Sequence, residues 1–223
     1  MMIIRRWIAL LLVIIGCVGS SVLAGNFSLA KDWHHIGFHE RTYTVKGEMN
    51  DTITFKVKGN AYYSSIQLIS SRKDIPVLRL SYPEGMNMAP IDFYIKELRD
   101  TTSGKRFWVV TSREGNKVIR YGFWIVGEYK GTYVVYVSEQ SMRNMGWNRP
   151  LHKSSRNYIG VVDGDLYIRL TKVHVDFNLP TYMTWTDEDP VTVRLFWDNT
   201  ANWFGVVSDG ATIPKAEIET RYY

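Results

Sequence analysis

Apolar and polar side chains alternate along much of this 223-residue chain, and this period of two constrains its fold most. In segment 52–58 the odd positions carry isoleucine, phenylalanine and valine, whereas the even positions carry threonine and lysine. Segments 166–170 and 191–197 alternate in the same way. A strand with one buried face and one wet face has this period, so these segments are predicted to be strands. Valine, isoleucine, threonine and aromatic residues are abundant, and the long runs of helix-forming residues that helices need are missing.

Segments 118–126 and 133–137 are apolar on both faces, which is typical of central strands that are covered on both sides. The glycine-flanked loop 127–131 joins them, and this predicts a hairpin. Asp163-Gly164, between two strand segments, is a strong signal for a type I′ hairpin turn. Further turn signals lie at 47–51, 114–116 and 198–202.

Successive strands are therefore expected to be antiparallel neighbours. Additional strand candidates bring the total to about twelve, near 62–69, 75–82, 91–96 and 172–177. Helix candidates are short, at 138–144 and at 215–222 after Pro214. The sequence predicts an all-β antiparallel meander that forms a β-sandwich or a closed barrel, with at most one or two short helices.

The first 24 residues have the pattern of a secretory signal peptide. Arg5 and Arg6 form a positive region, segment 8–15 is apolar, and Val22-Leu23-Ala24 suits a signal peptidase. The apolar segment is shorter than the about 20 residues that span a bilayer, although an N-terminal membrane anchor is the alternative. We expect cleavage after Ala24, which leaves residues 25–223 as a single β domain with no membrane span.

Cys17 suggests a second way of processing the N-terminus. Ile14-Ile15-Gly16-Cys17 loosely resembles the bacterial lipobox, although that motif usually has leucine first and a small residue second. This alternative implies a lipoprotein that is anchored through Cys17. No other cysteine is present, so the exported part has no cysteine nucleophile and no zinc–thiolate site.

The charge of the chain excludes one class of partner. Removal of residues 1–24 lowers the formal net charge from +5 to +3, because Arg5 and Arg6 are lost and no acidic residue is. Nucleic-acid binding takes a dense basic patch within a recognisable module, and the sequence has neither. A nucleic-acid partner is therefore not expected.

Histidines near the N-terminus are candidate metal ligands. His35 and His39 share a face of either a strand or a helix, and imidazole is the commonest metal ligand in proteins. The alternative is an exposed segment with incidental histidines, and no HExxH order is present. No cofactor is predicted.

Aromatic residues in loops are the candidate ligand-binding residues. Trp147 lies in the irregular stretch 138–157, Trp185 lies in the loop 179–190, and Tyr129 lies in the loop 127–131. Aromatic side chains in loops stack on sugar rings or anchor protein partners, because they combine a large apolar area with a polar edge.

Two function classes remain from the sequence. The first is an exported, non-catalytic β domain that binds a protein or polysaccharide of the envelope or the extracellular space. The alternative is a secreted or periplasmic hydrolase of glycans or peptides, which would use histidines or carboxylates such as those at 163–165 and 187–189. Those aspartates also have an ordinary role in turns, and the GxSxG and phosphate-binding glycine motifs are absent. For a bacterial source, the expected location is periplasmic or extracellular.

Overall fold

The computed structural model describes residues 26–37, 39–59, 64–80, 91–114, 121–145, 159–170 and 191–214. Within these ranges the chain forms fourteen strands and one short helix. The elements are β1 (Phe27–Leu29), β2 (His34–Ile36), β3 (Thr42–Lys46), β4 (Thr52–Gly59), β5 (Ser64–Ser70), β6 (Leu78–Leu80), β7 (Ile91–Asp100), β8 (Arg106–Glu114), β9 (Tyr121–Tyr129), β10 (Thr132–Ser138), α1 (Glu139–Asn144), β11 (Ile159–Val162), β12 (Asp165–Leu170), β13 (Val191–Asp198) and β14 (Trp203–Val206).

The strands form three antiparallel sheets. The N-terminal sheet has the order β3-β4-β5-β6, and the C-terminal sheet has the order β11-β12-β13-β14. The central sheet has the order β7-β8-β9-β10, and both β1 and β2 pair with the outer edge of β7. Neighbouring strands in each sheet are mostly neighbours in sequence, which confirms the predicted antiparallel meander. In the part of the chain that the structure describes, each sheet is open and none closes into a barrel.

The central sheet is buried on both faces, because it separates two hydrophobic cores. The first core joins residues of the N-terminal sheet, such as Phe55, to Trp108 of the central sheet. The second core joins Phe107 of the central sheet to residues of the C-terminal sheet, such as Ile168 and Phe204. Phe107 and Trp108 are consecutive and face opposite cores, as strand alternation requires. The architecture is a three-layer β-sandwich, and β9 and β10 are covered on both sides as predicted.

Tight turns close two of the hairpins. Asp163 and Gly164 have φ values of 50° and 83°, the pair of positive angles that a type I′ turn needs, which confirms that prediction. Lys130 and Gly131 have φ values of 49° and 83° and connect β9 to β10. This loop is shorter than the predicted 127–131, because residues 127–129 continue the hydrogen-bonded ladder with β10.

The remaining differences from the predicted elements concern strand ends and two short strands. β7 extends beyond the predicted 91–96 to Asp100, since Leu98 packs in the second core and residues 98–100 pair with β1. The strands β1 and β2 were not predicted. The helix α1 matches the predicted 138–144, and Ser138 Oγ accepts a hydrogen bond from Ser141 N at 3.1 Å. The candidates 172–177 and 215–222 lie outside the described residues, and no helix of the described segments is long and apolar enough to cross a membrane.

Candidate functional site

A row of aromatic and charged side chains lies along β2 and β7, at one edge of the central sheet. We call it the β2–β7 face, and it comprises Trp33, His35, Asp92, Tyr94 and Lys96. The three β7 residues occupy alternate positions and therefore share one side of the sheet. His35 is the register partner of Tyr94, and Trp33, which precedes β2, lies on the same side because its ring contacts Lys96.

Direct contacts hold the members of this face together. His35 Nε2 lies 3.1 Å from Asp92 Oδ1, and the side chains of His35 and Asp92 are 52% and 45% exposed. The ring centroids of His35 and Tyr94 are 5.0 Å apart. Lys96 Nζ lies 5.0 Å from the centroid of the Trp33 ring. The face thus places an exposed imidazole beside a carboxylate, an ammonium group and two aromatic rings that are half-buried, and Trp33 also packs against the second core.

The electrostatics of the face are nearly balanced. Partial burial lowers the pKa of Lys96, and the negative charge of Asp32 opposes this shift. Asp92 lies beside the His35 imidazole and Lys96 lies beside the Trp33 ring, so the described side chains of the face contribute one carboxylate and one ammonium group. The formal charges of the five described side chains therefore cancel, so these side chains do not attract a strongly ionic ligand.

Gly37 makes room for the pair of His35 and Asp92. A Cβ atom at this buried position would lie 2.5 Å from Asp92 Oδ1 and 3.3 Å from His35 Nε2. A larger residue there would therefore displace the Asp92 carboxylate from its place beside His35. Thr111 is the register partner of Tyr94 on β8, and its fully buried Oγ1 has no hydrogen-bond partner among the residues that the structure describes.

His34 points to the opposite side of β2 from His35. Its ring stacks on Tyr43 of β3 at a centroid distance of 3.7 Å, and its Nε2 lies 3.7 Å from Glu40 Oε1. His34 therefore joins the central sheet to the N-terminal sheet. The two consecutive histidines do not converge on one site.

The predicted metal ligands His35 and His39 are not placed on one strand. The strand β2 ends at Ile36, so alternation does not put His39 on the side of His35. His39 is exposed, and no group of three or more His, Cys, Asp or Glu residues suited to a metal ion occurs in the described ranges. Metal binding by these two histidines stays a prediction.

A buried aspartate ties the N-terminal sheet to the central sheet. Asp51 accepts hydrogen bonds from Tyr133 Oη at 2.9 and 3.1 Å and from Ser70 Oγ at 2.5 Å. Burial, followed by the hydrogen bond to Asp51, raises the pKa of Tyr133 well above its usual value. Gly47 allows this approach, because a Cβ atom there would collide with Asp51 Oδ1 and Tyr133 Oη. A shallow depression beside Asp51 is lined by residues of the β3–β4 hairpin and by Ser71.

A lysine ties the central sheet to the C-terminal sheet. Lys105 Nζ lies 3.3 Å from Glu128 Oε2, 3.4 Å from Asn202 Oδ1 and 5.3 Å from the ring centroid of Trp197. These groups lie between layers, and so do those around Asp51. Their geometry gives both sets a structural role in joining the sheets.

Of the predicted aromatic binding residues, the structure describes Tyr129 only. Tyr129 is half-buried at the end of β9, edge-on to Trp203 at 5.3 Å and with Lys130 Nζ 5.2 Å from its ring centroid. It packs against the second core, beside the surface. Trp147, Trp185 and the candidate lipidation site Cys17 lie outside the described residues.

Among the aspartates considered for hydrolysis, Asp163 forms the β11–β12 turn, and Asp165 forms an ion pair with Arg194. Residues 187–189 lie outside the described part of the chain. The sequence did not single out Trp33, Asp92, Tyr94 or Lys96. The signal was present in the predicted strand 91–96, whose even positions are aspartate, tyrosine and lysine and form its wet side.

No protein-family model, curated protein or solved structure matches this chain. The functional proposal therefore depends on the β2–β7 face and on the sheets that hold it.

Proposed function

We propose that this chain is an exported, non-catalytic β domain that binds a protein or polysaccharide partner in the cell envelope or outside the cell. The observation that supports this proposal is the row formed by Trp33, His35, Asp92, Tyr94 and Lys96 on the β2–β7 face. Aromatic rings with polar groups beside them are the surface from which binding proteins build contacts.

The scaffold beneath this face supports a role in binding. The strand β7 contributes Phe93 and Ile95 to the first core and Leu98 to the second, so its backbone is held from both sides. Its alternate residues Asp92, Tyr94 and Lys96 are therefore presented from a rigid strand. Binding at this face therefore costs little conformational entropy of the protein, which favours affinity.

Export is supported by the pattern of residues 1–24. We expect the protein isolated from its source cells to begin at Gly25, because Val22-Leu23-Ala24 precedes that position. Mass spectrometry of the intact N-terminus checks this expectation. A start at Cys17 with the added mass of lipid would indicate a lipoprotein, and an intact Met1 would contradict export through a cleaved signal.

Tyr94→Ala tests the binding face. We expect about a tenfold weaker affinity for envelope material, since truncation of an aromatic anchor costs more than about 1 kcal/mol. The measurement is binding of fractionated envelope proteins and polysaccharides to the immobilised protein. The matched control is Tyr167→Ala, because Tyr167 is a half-buried tyrosine on the outer side of β12, in the C-terminal sheet.

The control separates loss of the face from general damage. Equal affinity of the wild type and Tyr94→Ala for every bound fraction would contradict the use of this face. Turnover of a glycan or peptide panel by the wild type would contradict the non-catalytic part of the proposal.

A further inference from the structure

We infer that the ligand of the β2–β7 face is an uncharged saccharide chain, an inference that rests on the proposed binding function. The size of the face, its charge balance and the chemistry of its rings all favour this class of ligand.

The size of the face suits a few sugar units better than a protein. Within the residues that the structure describes, the face has five side chains in one row, whereas a stable protein interface uses about 20–30 residues on each side. Protein interfaces also have an apolar centre. In the residues that the structure describes, the exposed large hydrophobic side chains are Val77 and Val162. Val77 precedes β6 and Val162 ends β11, so both belong to the outer sheets.

The charge balance of the face favours a neutral ligand. Asp92 Oδ1 lies 3.1 Å from His35 Nε2, and Lys96 Nζ lies 5.0 Å from the Trp33 ring centroid, where the negative charge of Asp32 also acts on it. A strongly acidic or basic ligand would have to compete with these internal partners. Hydroxyl groups have no such difficulty, because each one both donates and accepts a hydrogen bond. A carboxylate accepts about four hydrogen bonds and an ammonium donates three, so the paired groups retain capacity for hydroxyls.

The aromatic rings of the face offer an apolar surface for a sugar ring. A sugar ring has apolar C–H faces and polar hydroxyl edges, and an aromatic ring offers an apolar plane that packs on such a face. His35 lies beside Asp92, and Tyr94 lies between Asp92 and Lys96 at alternate positions of β7. Trp33 is partly buried against the second core, with Lys96 Nζ over its ring. An aromatic plane with hydrogen-bonding groups at its side therefore matches both surfaces of a sugar ring.

Titration calorimetry of the purified protein tests this inference. The probes are neutral oligosaccharides of glucose, mannose and N-acetylglucosamine, an oligosaccharide of uronic acid, and acidic and basic peptides. We expect at least one neutral oligosaccharide to bind, with about tenfold weaker affinity for both Tyr94→Ala and Trp33→Ala. Tyr167→Ala is expected to bind as the wild type does. The affinity for a neutral oligosaccharide should change less than about twofold between 0.1 M and 1 M NaCl, because the ligand has no charge for the salt to screen.

Each other outcome contradicts a defined part of the inference. Binding of the uronic-acid probe or a peptide through the same face, with neutral sugars inert, would overturn the saccharide class while the proposed binding function stands. Failure of every probe, together with failure of envelope material to bind, would overturn both. Thermal melts of the variants identify unfolding, and Lys96→Gln, which keeps the rings, gives a second test with an expected loss of about threefold to tenfold.

Discussion

Asp51 shows at the scale of single residues how this chain joins its layers. Its buried carboxylate accepts a hydrogen bond from the hydroxyl of Tyr133, which lies 82 positions later in the chain. The sequence places Asp51 in the predicted turn 47–51, where aspartate is ordinary. The partner on β10 could not be predicted, because local pattern does not determine which residues meet across two sheets. The same limit applies to His35 and Asp92, whose contact depends on the pairing of β2 with β7.

Alkaline pH is expected to destabilise the protein through Tyr133 and Tyr136. Burial is the main cause that raises the pKa of both phenols above 10.0, with Asp51 and Glu128 as further causes for Tyr133 and Tyr136 respectively. The folded state therefore keeps protons that the unfolded state loses above about pH 10. The free energy of unfolding should be constant with respect to these groups below that pH and should fall as the pH rises. Urea denaturation at a series of pH values measures it.

Tyr133→Phe is the variant that separates the two phenols. We expect it to lower the free energy of unfolding at neutral pH by about 1–3 kcal/mol, because Asp51 keeps its buried carboxylate with one donor fewer. Above pH 10, the free energy of unfolding of Tyr133→Phe should also fall less steeply with pH than that of the wild type. Tyr167→Phe, on the outer side of β12, is the control and should change both quantities little. An unchanged alkaline slope in Tyr133→Phe would contradict the role given to this phenol.

At the scale of elements, the predictable strands are those with their own alternation and turn residues. The hairpin of β11 and β12 was predicted with its turn type, because Asp163-Gly164 encodes the backbone angles locally. The strands β1 and β2 have three residues each and do not show a period of their own. They become strands because β7 offers an unpaired edge, so the β2–β7 face was not predictable as a unit.

Gly164→Ala tests the local encoding of the hairpin turn. We expect the free energy of unfolding to fall by about 1–2 kcal/mol, since alanine is strained at φ 83°. Asp163→Asn should leave stability within about 0.5 kcal/mol, because asparagine also tolerates positive φ in a type I′ turn. Urea denaturation of both variants checks these values. Equal stability of Gly164→Ala and the wild type would contradict the assigned turn.

At the scale of the whole molecule, the two cores share one sheet. The sequence predicted this in part, since the apolar segments 118–126 and 133–137 indicated strands covered on both sides. It left a sandwich and a barrel open, because that choice depends on long-range pairing such as that of β1 with β7. The structure resolves the choice with three layers, and because both cores pack on the central sheet, we expect them to unfold in one cooperative transition.

A matched pair of core variants tests this cooperativity. Ile66 lies in the first core and Ile168 in the second, and both are fully buried. We expect Ile66→Val and Ile168→Val each to lower the free energy of unfolding by about 0.5–1.5 kcal/mol. The double variant should show the sum, because the sites share no contact, and unfolding should remain a single transition. Two separate transitions in calorimetry would contradict a cooperative central sheet.

The second core also determines what a shortened chain would do. Phe107, Phe123 and Tyr136 lie on strands that end by residue 138, while the sheet that covers them begins at Ile159. A chain that ends at residue 145 would therefore keep two layers and expose the aromatic side chains of Phe107, Phe123 and Tyr136 to water. Such a fragment would self-associate through these exposed side chains. A truncated product is therefore expected to aggregate and to have no partial activity.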